Sequence, residues 1–322
     1  MDIYLGFDIG SVSTNIVAIN EKTEVIFNKY IRTSGQPIVT VKSGLSELKE
    51  TMSEYTVRGA GATGSGRQMI GLMLGADVVK NEITAHAAAT VHFHPGVRTI
   101  FEIGGQDSKI ILLQDGLVVD FSMNTVCAAG TGSFLDHQAE RLGIPIENFG
   151  DLALTAENNV RIAGRCTVFA ESDMIAKQQY GFSKAEIIKG LCDALVRNYI
   201  NNLGRGKTLK PPFVFQGGVA ANKGIIRAFE EEVKQKLIIP KYHDVMGAFG
   251  AALLAKEHIQ ITGADTKFYG FDIVDFDFKP SSFVCPGCSN SCEIIRVDIE
   301  NKTIATWGDK CGKWGDSLNS AS

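Results

Sequence analysis

Two cysteines in this chain stand immediately before segments with a helical pattern, and one of them adjoins a Gly-Thr-Gly turn. In NTVCAAGTGSFLDHQAERLG, residues 124–143, Cys127 runs into Gly130, Thr131 and Gly132 and then a helix. In RCTVFAESDMIAKQQYG, residues 165–181, Cys166 precedes a helix expected to start near Glu171 or Ser172 and to end before Gly181. A helix N-terminus presents unpaired N–H groups and the positive end of the helix dipole, which favour thiolate and phosphate alike. The pairing therefore joins metal or redox chemistry to nucleotide chemistry. Two cysteines cannot complete a four-thiolate iron–sulfur cluster, but a two-fold homodimer brings four together at its axis. Zinc across the dimer is the alternative. Cys192, inside the amphipathic stretch AEIIKGLCDALVRNYI, reads as a core thiol.

Phosphate chemistry has two further candidates. YLGFDIGSVSTNIVAIN, at the N-terminus, reads as strand, tight turn and strand. Asp8 is placed to hold a metal-bound water, while Gly10, Ser11 and Ser13 let backbone N–H groups and hydroxyls approach phosphate oxygens. The pattern recurs in FEIGGQDSKIILLQDG at 101–116. Asp8-Ile9-Gly10 aligns there with Glu102-Ile103-Gly104, Thr14 with Ser108, and Ile16 with Ile110. A repeat at domain spacing implies two similar half-domains, each carrying an acidic, glycine-rich hairpin. Gly104, Gly105, Gln106 and Asp107 form the second turn, with Gln106 and Asp107 suited to positioning a metal ion or water in phosphoryl transfer. PPFVFQGGVAANKGI then supplies a strand, Gly217-Gly218 and Ala220, and a helix start, where backbone can pass close to a nucleotide.

These residues require elements to hold them. Residues 36–56 and the apolar end of VRGAGATGSGRQMIGLMLG read as helices, with Gly59 to Gly66 as a loop near the site that lacks the Gly-Lys-Ser/Thr ending of a P-loop. Residues 81–89 and 245–259 read as helices rich in small residues, and His86, His92 and His94 as surface or core histidines rather than ligands. At 322 residues and 44% hydrophobic, with 34 glycines, the chain suits two or more units of about 100 to 200 residues. No apolar run approaches the roughly 18 residues of a membrane span, and no basic and apolar leader opens the chain, so a cytoplasmic protein without a membrane partner is expected. The net charge of −4, with signs mixed throughout, lacks the basic stripe of a nucleic-acid binder. Seven cysteines in such a compartment point to ligands, catalysts or buried thiols rather than disulfides.

The segments GFDIGSVSTN, EIGGQDSK, NTVCAAGTGSF, GRCTVFAESDMI, FQGGVAANKG and GAFGAALLA, in this order over roughly residues 3 to 260, resemble the ATP-dependent activases of 2-hydroxyacyl-CoA dehydratases and the related benzoyl-CoA reductase ATPase subunits. The resemblance implies an α/β, duplicated actin-like ATPase fold, shared with sugar kinases. Its subdomain I would span 1–95, completed by 241–261, and subdomain II 96–240. It implies ATP or ADP with Mg2+ on the turns above, with Val12 and Thr14 added to the first of them, and one 4Fe-4S cluster bridging a homodimer through Cys127 and Cys166. It implies electrons from ferredoxin or flavodoxin, driven by ATP hydrolysis onto an iron–sulfur partner, either a double-cubane cluster protein or a dehydratase component, in anaerobic metabolism. One departure is Asn15, where many relatives carry lysine.

The second departure is a cysteine-containing extension over 262–322, where the short activases end near 260. In FVCPGCSNSCEI and WGDKCGKWG, Cys285, Cys288, Cys292 and Cys311 have the spacing of a zinc or iron–sulfur site. Two other readings use the same residues. A sugar or N-acetylsugar kinase would share the fold and phosphate turns and be indifferent to Cys127→Ser. An ATP-gated regulator with a zinc tail would bind nucleotide without turnover.

Overall fold

The computed structural model describes residues 1–52, 54–125, 127–299 and 302–314. The chain forms two compact units, residues 1–81 with 251–322, and residues 82–250. Relative to the expected subdomain boundary after residue 95, this division begins the second unit at Glu82 and groups the described part of 262–322 with the first.

In the first unit the elements are β1 (Asp2–Ile9), β2 (Ser13–Asn20), β3 (Val25–Arg32), α1 (Pro37–Met52), β4 (Thr56–Thr63), α2 (Arg67–Leu74) and β5 (Val78–Val79). The sheet order is β3-β2-β1-β4-β5, with β1 antiparallel to β2 and parallel to β4. β1 is apolar almost throughout because it is central and covered on both faces, and Ile3, Leu5 and Phe7 join Val41, Leu45 and Leu48 of α1 in one core.

GAGAT is a strand here and not a loop. Its glycines read as turn formers in sequence, but they serve close packing: a Cβ at Gly61 would lie 2.2 Å from the Ala251 carbonyl oxygen, and one at Gly59 3.0 Å from the Ile259 side chain. Only Gly64 to Gly66 turn.

The second unit holds α3 (Glu82–Phe93), β6 (Thr99–Ile103), β7 (Ser108–Gln114), β8 (Leu117–Asn124), α4 (Gly132–Leu142), α5 (Ile146–Ala153), α6 (Thr167–Gln179), α7 (Lys184–Leu203), β9 (Phe213–Gln216), α8 (Lys223–Val233) and β10 (Leu237–Ile238). Its sheet runs β10-β9-β6-β7-β8, the order of the first sheet strand for strand. The hairpin registers match as well: Ile9 pairs with Thr14 and Asp8 with Asn15, as Ile103 pairs with Ser108 and Glu102 with Lys109.

α6 begins at Thr167 with Cys166 as its N-cap residue, several positions before the expected start at Glu171 or Ser172. The Thr-Val-Phe-Ala stretch continues the helix up to the thiol. α7 is long and well defined at its start, where Ser183 and Glu186 form a reciprocal capping box. Cys192 is buried on α7, as expected of a core thiol, and burial pushes its pKa up.

α9 (Met246–Thr262) is followed by β11 (Phe278–Val284), β12 (Glu293–Ile299) and β13 (Lys302–Trp307), an antiparallel sheet in that order. Ile273, Phe278 and Val297 of the extension bury their side chains in the core built by β1, β2 and α1. Lys49 pairs with Asp272 at 2.8 Å, and the Lys42 ammonium donates to the Phe276 carbonyl at 2.8 Å. Among the described residues, no helix is long and apolar enough to cross a membrane.

Candidate functional site

In the first unit, the turn between β1 and β2 is closed by a Gly10 N–H donated to the Ser13 carbonyl at 2.8 Å. Thr33 supports it: its N–H donates to the Val12 carbonyl at 2.8 Å, its Oγ1 to the Gly10 carbonyl at 3.0 Å, and the Thr14 hydroxyl lies 3.0 Å from its own. Ser11 is left exposed at the tip, with Val12 and Ser13 half-buried. Gly64 to Gly66 lie against the same turn, the Gly66 N–H reaching the Ile9 carbonyl at 2.9 Å. Asp8 stands at the end of β1 with Asn15 opposite it on β2 and Thr63 opposite it on β4. Asn15 Oδ1 and Thr63 Oγ1 are buried without a hydrogen-bond partner, so the ladder flanks this carboxylate with unused polar capacity.

The second unit repeats the turn. Gly104 N–H donates to the Asp107 carbonyl at 3.0 Å, as Gly10 does to Ser13, and Gln106 is exposed at the tip. Two other glycine turns close on it. At the start of α4, Gly132 N–H donates to the Gly104 carbonyl at 2.9 Å, and Ser133 N–H and Oγ donate to the Gly105 carbonyl at 2.8 and 2.5 Å. A Cβ on Gly132 would lie 3.0 Å from the Gly104 oxygen and 3.1 Å from Val219.

Gly217, at φ +92°, passes so close to β6 that a Cβ would lie 2.3 Å from the Ile103 oxygen. After it Gly218 is exposed, and Ala220 N–H returns to the Gly217 carbonyl at 3.1 Å. Gly104, Gly105, Gly132 and Gly217 are thus brought together, with Gly130 and Thr131 leading into α4. This cradle of close backbone suits a polyphosphate.

Behind Asp107 lies a charge cluster that spacing alone does not reveal. Lys109 is buried, and its ammonium lies 2.7 Å from Glu82, 2.9 Å from Glu102 and 2.8 Å from Asp107. Burial opposes the ammonium, but the three carboxylates outweigh it and hold the Lys109 pKa well above the ordinary lysine value. Burial pushes Glu102 up to about 8, a shift the Lys109 charge only partly offsets, and it also raises Asp107. His86 is a core histidine: its Nδ1 lies 2.9 Å from Gln216 Nε2, and burial followed by the Lys109 charge lowers its pKa to about 3. The one sequence signal for Lys109 was the repeat itself, since it occupies the place of Asn15.

Cys127 and Cys166 are half-buried free thiols in the second unit. Cys127 precedes a 3₁₀ turn over Ala128–Gly130 that leads directly into α4, and Cys166 caps α6. Both therefore stand where a helix begins, as the sequence indicated. Among the described residues, no group of three or more Cys, His, Asp or Glu side chains is placed to hold a metal ion.

The four tail cysteines, expected to form a zinc or iron–sulfur set, make no such group among the described residues. Cys285 is buried and accepts hydrogen bonds from the Trp314 indole N–H at 3.3 Å and the Gly287 N–H at 3.4 Å, which lower its pKa. Cys288 and Cys311 are exposed, Cys292 is half-buried, and the Cys311 thiol faces Asp309.

Comparison with known proteins fits this arrangement. The profile of the BadF/BadG/BcrA/BcrD ATPase family matches residues 5–255. The activator of lactoyl-CoA dehydratase from Anaerotignum propionicum is 36% identical over 262 residues, 80% of this chain and 98% of that one. Among solved structures, the activator of the 2-hydroxyisocaproyl-CoA dehydratase from Clostridium difficile with bound ADPNP superposes with a TM-score of 0.75 at 30% identity, covering 81% of this chain and 97% of that one. A ROK family glucokinase from Streptomyces griseus shares the fold alone, with a TM-score of 0.50 at 12% identity over 79% of this chain and 99% of that one. The architecture is the α/β actin-like ATPase fold, as the sequence led one to expect.

Proposed function

The chain belongs to the BadF/BadG/BcrA/BcrD ATPase family, and on that premise we propose that it is an ATP-dependent reductive activator. It works as a homodimer in which Cys127 and Cys166 of each copy hold one shared 4Fe-4S cluster. Ferredoxin or flavodoxin supplies the electron, and an iron–sulfur protein receives it, either a double-cubane cluster protein or a 2-hydroxyacyl-CoA dehydratase component. The observation that carries this reading is that the helix beginning just after Cys127 starts on the phosphate turn itself, through the bonds from Gly132 and Ser133 to Gly104 and Gly105.

The residues fit the groups. Gly132 and Gly217 leave room that any Cβ would take, and on the same unit Gln106 and Asp107 supply amide and carboxylate oxygens suited to Mg2+ or the attacking water, as the Asp8 carboxylate does on the first unit's own turn. Two free thiols at helix starts are half of a four-thiolate set, which the same two thiols of a second copy would complete. α6 has the surface for it: Val168 and Phe169, directly after Cys166, are 66% and 64% exposed, and Ile175 and Tyr180 are exposed as well. When bound, the cluster supplies a one-electron redox centre. The chain's part is to bind nucleotide on the glycine turns, orient water with Gln106 and Asp107, and hold both thiols at the dimer face.

Iron, sulfide and native mass measured on anaerobically purified protein test this. About two irons per chain in a dimer is the expected result. An ATPase with no iron, unaffected by Cys127→Ser and accelerated by a small sugar, overturns it in favour of a kinase.

A further inference from the structure

The loops that carry the two thiols are held by two asparagines, Asn124 at the head of the first cysteine motif and Asn198 outside both motifs and the phosphate turns. Asn124, the last residue of β8, closes the Cys127 loop: its Nδ2 donates to the Cys127 carbonyl at 2.7 Å and its Oδ1 accepts the Cys127 N–H at 2.9 Å. Asn198, nearly buried on α7, holds the approach to Cys166, its Nδ2 donating to the carbonyls of Gly164 and Arg165. The two asparagines meet at Gly130, where a Cβ would lie 3.1 Å from Asn198 Oδ1 and 3.5 Å from Asn124 Nδ2.

The same helix also grips the phosphate hairpin. Tyr199, the next residue, donates its hydroxyl to the Lys109 carbonyl and accepts the Glu102 N–H at 3.2 Å. Each contact satisfies a polar group that is costly to leave unmet once water is excluded, so none of them is lost without consequence for the others. Its chemistry is specific to an amide at 198. The side chain must donate to two carbonyl oxygens while its Oδ1 accepts from Asn202 Nδ2 at 3.0 Å, which neither aspartate nor a hydrocarbon can do.

We propose that Asn198 is a positioning residue that locks the Cys127 and Cys166 loops into one element anchored on the Gly104–Gly105 turn, so that a change at that turn reaches both thiols together. The inference rests on the proposed function only in taking that turn to face the nucleotide. Energetic coupling needs a demonstrated shared response, and spatial continuity supplies only the route.

The test is hydrogen exchange on the full-length, anaerobically purified protein, comparing Mg-ADP with Mg-AMPPNP, with nucleotide affinity and iron content taken on the same samples. In the wild type, amides of 127–133 and 164–170 should change several-fold and with one common midpoint in a nucleotide titration. In Asn198→Ala the response of 127–133 should persist and that of 164–170 disappear, at a nucleotide affinity within about twofold of wild type. An unchanged response of 164–170 in the variant overturns the proposal, as do separate midpoints in the wild type, which decide the matter alone if Asn198→Ala does not fold. Absence of nucleotide binding sinks the functional reading and this one together. Absence of iron with coupled loops sinks only the cluster.

Discussion

Asn15 and Lys109 occupy the same place in the two halves of this protein. Each sits one residue past the hairpin turn's closing pair and directly across the ladder from the acidic residue of its repeat, Asn15 opposite Asp8 and Lys109 opposite Glu102. In the second half the lysine is buried among three carboxylates. In the first, Asn15 is 5% exposed with an unpaired Oδ1. Placing a cation there should therefore be tolerated, because an ammonium at 15 has Asp8 opposite it to offset its burial. Asn15→Lys is expected to fold, to melt within about 3 °C of wild type and to retain ATP hydrolysis. Thermal melting and turnover check this, and an insoluble variant would contradict it.

Lys109→Met should fare differently. Removing the ammonium that faces Glu82, Glu102 and Asp107 takes the compensating charge from these carboxyls, at a cost of roughly 3–5 kcal/mol. Because Asp107 is held by the same ammonium, ATP hydrolysis should fall further than nucleotide affinity. Urea unfolding followed by separate measurement of kcat and KM distinguishes this from simple loss of fold.

The buried acid and histidine set the pH dependence of stability. Glu102, raised to about 8, keeps its proton in the folded chain where the unfolded chain has lost it, so its contribution falls as pH rises from the ordinary glutamate value towards 8. His86, lowered to about 3, has the opposite effect, adding stability as pH rises to its ordinary value of 6.5. Between pH 6.5 and 8 only the Glu102 effect of the two remains, with a slope of at most about 1.4 kcal/mol per pH unit. Glu102→Gln should flatten the decline of the urea midpoint in that window. A decline unchanged in the variant would place its origin elsewhere.

Gly217→Ala tests the cradle. The new Cβ would collide with the Ile103 carbonyl, and alanine is strained at φ +92°, a cost of about 1–3 kcal/mol. Nucleotide binding, read by calorimetry, should weaken at least tenfold while the far-ultraviolet circular dichroism stays native. Tight binding in a folded variant would remove Gly217 from the site.

The exposed face of α6 gives a prediction for assembly. Phe169→Asp should shift the native mass from dimer towards monomer and lower iron per chain, with nucleotide affinity retained. Cys192→Ser, by contrast, should leave iron content unchanged, because that thiol is sealed in the core.

The amino-acid sequence by itself determined the duplicated acidic hairpin, the glycines that bring backbone to backbone, and the placement of both thiols at helix starts. Those features are local: alternation, turn residues and helix onset act over a few positions and leave a direct pattern. Only the tertiary structure decided that GAGAT is a strand, since its glycines answer to Ala251 and Ile259 far along the chain. It likewise decided that the extension joins the first unit's core, that Lys109 collects Glu82 from a separate helix, and that Asn198 ties Gly164 and Arg165 beside Gly130. A buried charge or amide is satisfied by whatever partners the fold brings within hydrogen-bonding distance, and those partners come from segments whose spacing in the chain carries no period to read.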